Sequence, residues 1–124
     1  MNPLLVFLGG GLGALLRYAA GRATILAGYA PPLATLGVNI VGCLVMGLLA
    51  GWFTTHGSSD AGGGESARLF LLTGVLGGFT TFSAFGLDAL TLYQRGAMAQ
   101  AAAYVAASVI LSLAAVAFGW TLVR

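Results

Sequence analysis

Apolar residues fill four long segments of this chain, and short polar stretches separate them. The apolar segments cover about residues 3–25, 32–53, 68–93 and 97–123. Each is long enough to cross a hydrocarbon core of about 30 Å, which takes about 20 apolar residues in a helix. The pattern predicts four transmembrane helices in one domain, residues 1–124, with an extramembrane loop at about residues 54–66, where Ser, Gly and acidic residues cluster.

Composition agrees with a membrane protein and narrows the classes of function. Of the 124 residues, 59% are hydrophobic and 6% are charged, whereas a soluble domain carries about 25% charged residues. The net charge of +2 is too small and too scattered to predict a nucleic-acid surface. A single cysteine excludes a disulfide framework within the chain. We find no set of nucleophile and base or of metal-ligating side chains that predicts an enzyme.

Arginines are spread almost evenly over the two sides of the predicted bundle. Arg68 and Arg124 belong to the side that holds both chain ends, and Arg17, Arg22 and Arg95 belong to the other side. The Lys/Arg bias of short loops sets the orientation of a membrane protein. A difference this small is either accidental or typical of a protein that inserts in both orientations.

Glycines recur four residues apart in three of the spans. Small residues at this spacing let membrane helices approach closely. Four such thin helices enclose little volume, so we expect a path for a solute to form between copies of the chain, most simply in a dimer. The pairs are Gly9 with Gly13, Gly47 with Gly51, and Gly74 with Gly78.

The third span contains GGFTTFSAF at residues 77–85, which is a poor sequence for a continuous helix. Backbone groups that leave a helix inside a membrane must be buried in protein or line a wet cavity. One interpretation is a helix softened by glycine, and the other is a discontinuous helix whose half-ends face an ion. Phe79, Phe82 and Phe85 recur every three residues on one helical face. Such a stripe is usually a packing surface, but ring edges carry partial positive charge and also suit a small anion.

Polar residues recur every four positions in the second and fourth spans. Asn39, between Thr35 and Cys43, either joins two helices or offers a donor to the path, and the spacing favours neither interpretation. In the fourth span the repeat continues over three turns, which favours a polar track along the membrane normal. Its members are Gln100, Tyr104, Ser108 and Ser112.

Charged side chains within the spans are few. Arg17 either extends outward to water or forms a vestibule that attracts anions. We expect Asp88 to pair with an arginine at the same level.

Three functions from different classes fit four short spans. A passive anion channel explains the hydroxyl groups, the carboxamide and the ring edges. A proton-coupled exporter needs a titratable group in the path, and the first, second and fourth spans have no carboxylate. A structural subunit of a larger complex leaves the polar track unexplained.

Four motifs together resemble the CrcB/Fluc fluoride channels over essentially the whole chain. They are GGFTTFSAF, TLGVNIVG in the second span, GGGLGALLRY in the first and the Tyr-x3-Ser-x3-Ser ladder of the fourth. The resemblance implies an all-α membrane protein with four transmembrane helices, a broken third helix and an antiparallel, dual-topology homodimer. It also implies a fluoride-selective passive channel in the bacterial plasma membrane that exports fluoride and lowers its concentration in the cytoplasm.

The same resemblance implies roles for individual residues. The backbone carbonyls of Gly77 and Thr80 would hold a structural sodium ion at the dimer interface. Ala84 stands where the family often has Thr, so a hydroxyl group is missing there. The residues implied to line the fluoride pathway are Asn39, Thr81, Phe82, Ser83, Phe85, Tyr104, Ser108 and Ser112.

Overall fold

The protein is described by a computed structural model that covers residues 2–57 and 63–124. Every regular element in these residues is helical. The elements are α1 (Pro3–Leu26), α2 (Pro31–His56), α3 (Gly63–Arg68), a π-helical segment (Leu69–Leu76), α4 (Gly77–Phe79), α5 (Phe82–Gln94) and α6 (Met98–Leu122).

Four helical spans are long and apolar enough to cross a membrane, and the third consists of α3, the π-helical segment, α4 and α5. The four predicted spans are confirmed, and the chain is a multi-pass membrane protein.

Helix enters both ends of the loop predicted at about residues 54–66. α2 continues to His56, whose ring stacks on that of Trp52 at a centroid distance of 4.0 Å. The hydroxyls of Thr54 and Thr55 donate to carbonyls four residues back in the same helix. These local contacts satisfy polar side chains within the helix, which the composition alone does not reveal. α3 already begins at Gly63, and residues 58–62 of the predicted loop lie outside the described residues.

Two glycines make the short connections between spans possible. Gly28 and Gly96 adopt φ values of 91° and 77°, in the left-handed region that glycine enters without a steric penalty. Gly28 follows the end of α1, and Gly96 lies between α5 and α6. Neighbouring spans can therefore reverse direction within a few residues.

Glycines let α1 contact the third span at backbone distance. A Cβ atom on Gly9 would lie 2.6 Å from the carbonyl oxygen of Phe70 and 2.9 Å from Cα of Gly74. A Cβ atom on Gly13 would collide with the carbonyl of Val75. The predicted packing role of these glycines is confirmed.

The second close pair of helices is α2 with α6. A side chain on Gly47 would collide with the carbonyl of Val116, and one on Gly119 with the carbonyl of Leu44. Gly51 meets the Val123 side chain at the end of the same interface. The two interfaces leave the interrupted third span between α1 on one side and α2 on the other.

The third span is interrupted at Thr80 and Thr81. Both residues are extended, with φ and ψ of −77° and 155° at Thr80 and of −149° and 123° at Thr81. The third span is thus discontinuous, as one of the two interpretations predicted, and whether its half-ends face an ion stays a prediction. The glycines do not make the gap, because Gly77 and Gly78 are helical and Gly78 packs against the Gly10 backbone.

The π-helical segment before the interruption has no counterpart in the sequence-based predictions. It spans eight residues, Leu69–Leu76, and the N–H of Gly77 closes it by donating to the carbonyls of Leu72 and Gly74. π-Helical turns are rare and occur frequently at functional sites. This segment carries Gly74 into its contact with Gly9 and leads directly into the interruption.

Candidate functional site

Asn39 of α2 replaces the hydrogen bonds that the backbone loses at the interruption. Its Nδ2 donates to the carbonyl oxygen of Thr81 at 2.9 Å, and its Oδ1 accepts from the N–H of Thr81 at 2.8 Å. The side-chain amide thus pairs with Thr81 as a neighbouring strand would. An unpaired backbone group in hydrocarbon costs several kcal/mol. Asn39 therefore joins two helices, as one of the two interpretations from the sequence proposed.

Thr81 also caps the helix that follows it. Its hydroxyl accepts from the N–H of Ala84 at 3.2 Å, as expected for a Thr at the N-cap position. The hydroxyl of Ser83 lies 3.3 Å from that of Thr81 on an exposed surface. Ser83 therefore contacts the cap of α5.

Gly77 and Thr80 lose the usual partners of their carbonyl groups. In a continuous helix these oxygens would accept from the N–H groups of Thr81 and Ala84. Here those donors are bound to the Asn39 side chain and to the Thr81 hydroxyl. No other backbone hydrogen bond to either carbonyl occurs in the part of the chain that the structure describes. Both oxygens are free to accept a ligand.

A cavity of about 310 Å³, which we call the groove, opens beside the interruption between α2, α5 and α6. Six of the eight residues implied to line the pathway lie on its walls, whereas Ser83 and Tyr104 do not. The complete lining is Asn39, Cys43, Thr80, Thr81, Phe82, Phe85, Ser108, Val109, Ser112 and Leu113.

The serine side of the groove carries hydroxyl groups without partners. Ser108 is only 6% exposed, and its Oγ atom is buried without a hydrogen bond. The Oγ atom of Ser112, one turn further along α6, is in the same condition. Most threonine hydroxyls of this chain instead donate to carbonyls of their own helix, as Thr24 and Thr91 do at 2.8 Å. The two serines thus carry buried hydroxyl groups for which the described residues supply no hydrogen-bond partner.

Two phenyl rings form another part of the groove wall. The ring centroids of Phe82 and Phe85 are 5.4 Å apart at an angle of 50°. Phe85 is buried, whereas Phe82 is 82% exposed on the single chain. Phe79 does not continue this face, because it precedes the interruption and its ring lies against Gly42 of α2. The expected stripe of three rings is therefore wrong, and a pair of rings remains.

Tyr104 does not line the groove but contacts a residue that does. Its ring packs on Phe85 at a centroid distance of 5.4 Å, and its hydroxyl donates to Oδ2 of Asp88 at 3.1 Å. The expected pairing of Asp88 with an arginine is wrong, since α6 brings the tyrosine hydroxyl to this carboxylate first. Tyr104 thus orients Phe85 while its own polar group is occupied.

A second cavity, of about 150 Å³, also has Thr81 on its wall. Arg17 of α1 and Thr35 of α2 line it, together with Ala84. Nε of Arg17 is buried without a hydrogen-bond partner. Thr81 belongs to the walls of both cavities, so one extended residue borders the groove and the cavity of Arg17.

Several residues of the groove have no role predicted from the sequence. Thr80 presents its side chain as well as its carbonyl, and its methyl group fits against Gly42. Val109 and Leu113 were assigned no role, although each directly follows one of the two serines that line the groove. Cys43 was placed on the same helical face as Asn39, and that spacing was the signal for its position on the groove wall.

Comparison with known proteins identifies relatives over the whole chain. Residues 4–120 match the family model described as "CrcB-like protein, Camphor Resistance (CrcB)". A protein of Methylobacterium sp. (strain 4-46) is 49% identical over 124 residues, which cover 100% of this chain and 97% of the relative.

Two further relatives have similar scores. A protein of Rhodopseudomonas palustris (strain BisB5) is 51% identical over 128 residues, with 100% of this chain and 98% of the relative covered. One of Paracoccus denitrificans (strain Pd 1222) is 54% identical over 125 residues, with 98% and 93% covered. All three relatives are named "Fluoride-specific ion channel FluC".

Proposed function

The chain belongs to the CrcB-like family, and we propose that it is a fluoride-selective channel through which the ion moves passively. Its relatives carry the name of an ion channel and not that of an enzyme. The family match covers residues 4–120, and the relatives are about half identical over their full length.

The groove supports this function most directly. Fluoride is the most strongly hydrated halide, so a path for it must replace many hydrogen bonds. The unpartnered hydroxyls of Ser108 and Ser112 offer donors on one wall. The ring edges of Phe82 and Phe85 offer partial positive charge on another part of the wall, without a full charge that would trap the ion.

The second cavity supports an entrance for anions. Arg17 contributes the only full positive charge among the residues that line the two cavities. An anion attracted there reaches the groove past Thr81, which both cavities share. Arg17 does not line the groove. An anion that reaches the rings has therefore already moved away from the positive charge of the arginine.

A homodimer would close the groove. Phe82, on the groove wall, is 82% exposed on the single chain, which is unusual for a ring that defines a selective path. A second copy placed against this face would cover it. The near balance of the arginines suits chains that insert in both orientations and pair antiparallel.

Gly77 and Thr80 suit a structural sodium ion at the interface of such a dimer. Sodium is a hard cation that prefers oxygen ligands, and both carbonyls lack a hydrogen bond within the chain. Two carbonyls from each copy would hold it. The ion would supply positive charge that fixes the two interruptions against each other.

Such a channel would export fluoride across the bacterial plasma membrane. Hydrogen fluoride enters a cell as a neutral acid and dissociates in the more alkaline cytoplasm. A passive path for the anion lets it leave down its gradient, which lowers the cytoplasmic concentration.

Flux from proteoliposomes tests the proposal. We expect the purified protein to release fluoride, as read with a fluoride electrode, and to release chloride far more slowly under the same gradient. Equal rates for the two anions, or no fluoride release by correctly assembled protein, would contradict the proposed selectivity or function.

Two further measurements address the assembly. Cysteine variants at exposed loop positions should react with impermeant reagents from both sides of the membrane if insertion is dual. Replacement of sodium by a large organic cation should lower fluoride release if Gly77 and Thr80 hold a structural ion.

A further inference from the structure

Cys43 is the single cysteine of the chain and lies on the wall of the groove. It is half-buried on α2, one turn after Asn39. Its neighbour Gly42 lets Thr80 and Phe79 approach the helix closely, so the thiol lies beside the interruption. Nothing in the proposed conduction of fluoride uses a thiol.

The groove also offers polar partners to a ligand that the thiol would bind. Ser108 is more than nine-tenths buried, and its Oγ atom lacks a hydrogen bond. It belongs to the same cavity as Cys43. A thiol and a serine with an unsatisfied hydroxyl line one space of about 310 Å³, which leaves room for an ion and its remaining ligands.

We propose that Cys43 makes the groove a binding site for a thiophilic metal cation, of which Hg²⁺ is the test case, and that the bound metal blocks fluoride. The inference rests on the proposed function, because the groove is the path that the metal would fill. A soft metal bound at Cys43 would then inhibit fluoride conduction.

The choice of a soft cation follows from the side chains present. No group of three or more His, Cys, Asp or Glu that could hold a metal occurs among residues 2–57 and 63–124, so a site that needs several strong ligands is not available there. Sulfur selects soft metals, and Hg²⁺ binds firmly to a single thiolate.

The binding step balances in atoms and charge. The thiol of Cys43 reacts with uncharged mercuric chloride to form an S–Hg bond. The S–H bond and one Hg–Cl bond break, and a proton and a chloride ion leave to water. The reagent carries no net charge, so it enters the groove without losing the hydration shell of an ion.

The test measures fluoride release from proteoliposomes before and after mercuric chloride, with mass spectrometry of the protein to count bound mercury. We expect the wild-type chain to bind one mercury and lose most of its flux, and dithiothreitol to restore it. Cys43→Ala should bind none and keep its own untreated rate in the presence of mercury. If Cys43→Ala does not conduct, Cys43→Ser takes its place.

A relocated cysteine serves as the matched control. Ile110 lies on α6 two residues after Ser108, is 63% exposed and does not line the groove. In the Cys43→Ala background, Ile110→Cys should bind mercury without losing flux. Loss of flux there would show that any bound mercury disturbs the protein, and it would overturn the proposal.

The remaining outcomes separate the inference from the proposed function. Full flux from wild-type protein that carries mercury at Cys43 overturns the inference alone, as does the absence of bound mercury. Loss of flux from Cys43→Ala after mercuric chloride is added also overturns the inference. Absence of fluoride release before any mercury is added contradicts the proposed function instead.

Discussion

The interruption of the third span and the serines of α6 both line the groove, but only the interruption has its polar groups paired by hydrogen bonds. At the interruption, the N–H and carbonyl of Thr81 both have a partner in the Asn39 side chain. On α6, the hydroxyls of Ser108 and Ser112 have none. Satisfied polar groups hold the structure in place, whereas buried unsatisfied groups call for another explanation, which we propose is the passage of the ion.

This comparison separates two kinds of substitution. Removing a group that is hydrogen-bonded at the interruption should lower both the stability and the flux, because the geometry of the path depends on that hydrogen bond. Removing a group from the unsatisfied side should cost flux alone.

We expect the largest effect from Asn39→Asp. The carboxylate keeps an acceptor for the N–H of Thr81 but loses the donor to its carbonyl, and it places negative charge in the fluoride path. Flux should be abolished, and the free energy of unfolding should fall by about 1–3 kcal/mol. Fluoride release from liposomes and unfolding in detergent measure the two effects.

Asn2→Asp is the matched control for that substitution. Asn2 caps α1 by accepting from the N–H of Leu4, and aspartate can do the same. It should conduct as the wild type does. Normal flux from Asn39→Asp would show that the amide is not needed for the path.

The next largest effect is expected at the two rings. Phe82→Ile removes a ring edge from an exposed position, so flux should fall strongly while the stability of the single chain changes by less than about 0.5 kcal/mol. Phe85→Ile should lower flux and also cost about 0.5–1.5 kcal/mol, because the contact with Tyr104 is lost.

Phe7→Ile, at a ring that is 75% exposed on α1 and outside the groove, should leave flux unchanged. Wild-type flux in both groove variants would remove the rings from the mechanism.

Ser108→Ala tests the unsatisfied side of the comparison. We expect flux to fall by about tenfold, which corresponds to about 1.4 kcal/mol on the barrier. Stability should not fall, because no hydrogen bond is lost. Thr91→Val, which removes a hydroxyl bound to the Leu87 carbonyl, should leave flux intact. A stability loss in Ser108→Ala without a change in flux would reverse our assignment.

The smallest effect is expected from Ser83→Ala. The Ser83 hydroxyl is exposed, reaches only the Thr81 hydroxyl at 3.3 Å and lies outside the groove. Flux and stability should change by no more than about 0.5 kcal/mol in free energy. A loss of flux as large as that of Ser108→Ala would place Ser83 in the path of the assembled protein.

The spans and the presence of an interruption could be predicted from the sequence, because apolar length and glycine content are local properties. The stretch that contains the interruption, residues 77–85, could be predicted as well, but not the two residues that leave the helix. Their identity depends on a hydrogen-bonded pair 42 residues apart, Asn39 with Thr81, whereas the adjacent glycines stay helical.

Partners of side chains were also beyond the sequence. The glycine pairs were identified, but the helices that they meet were not, since spacing describes one helix and contact needs two. Charge suggested an arginine for Asp88, whereas packing supplies Tyr104. The serines were found by their spacing, but their lack of partners depends on the surrounding groove.

The amide that closes the gap in the third span has a consequence for biogenesis. Asn39 belongs to the second span, so a third span that enters the lipid alone has nothing to bind the main chain at Thr81. Continuous helix is then its cheapest conformation. The interruption would then form only when the second span packs against the third. Chains that are not yet folded would have no open path, which protects the cell from uncontrolled ion flow.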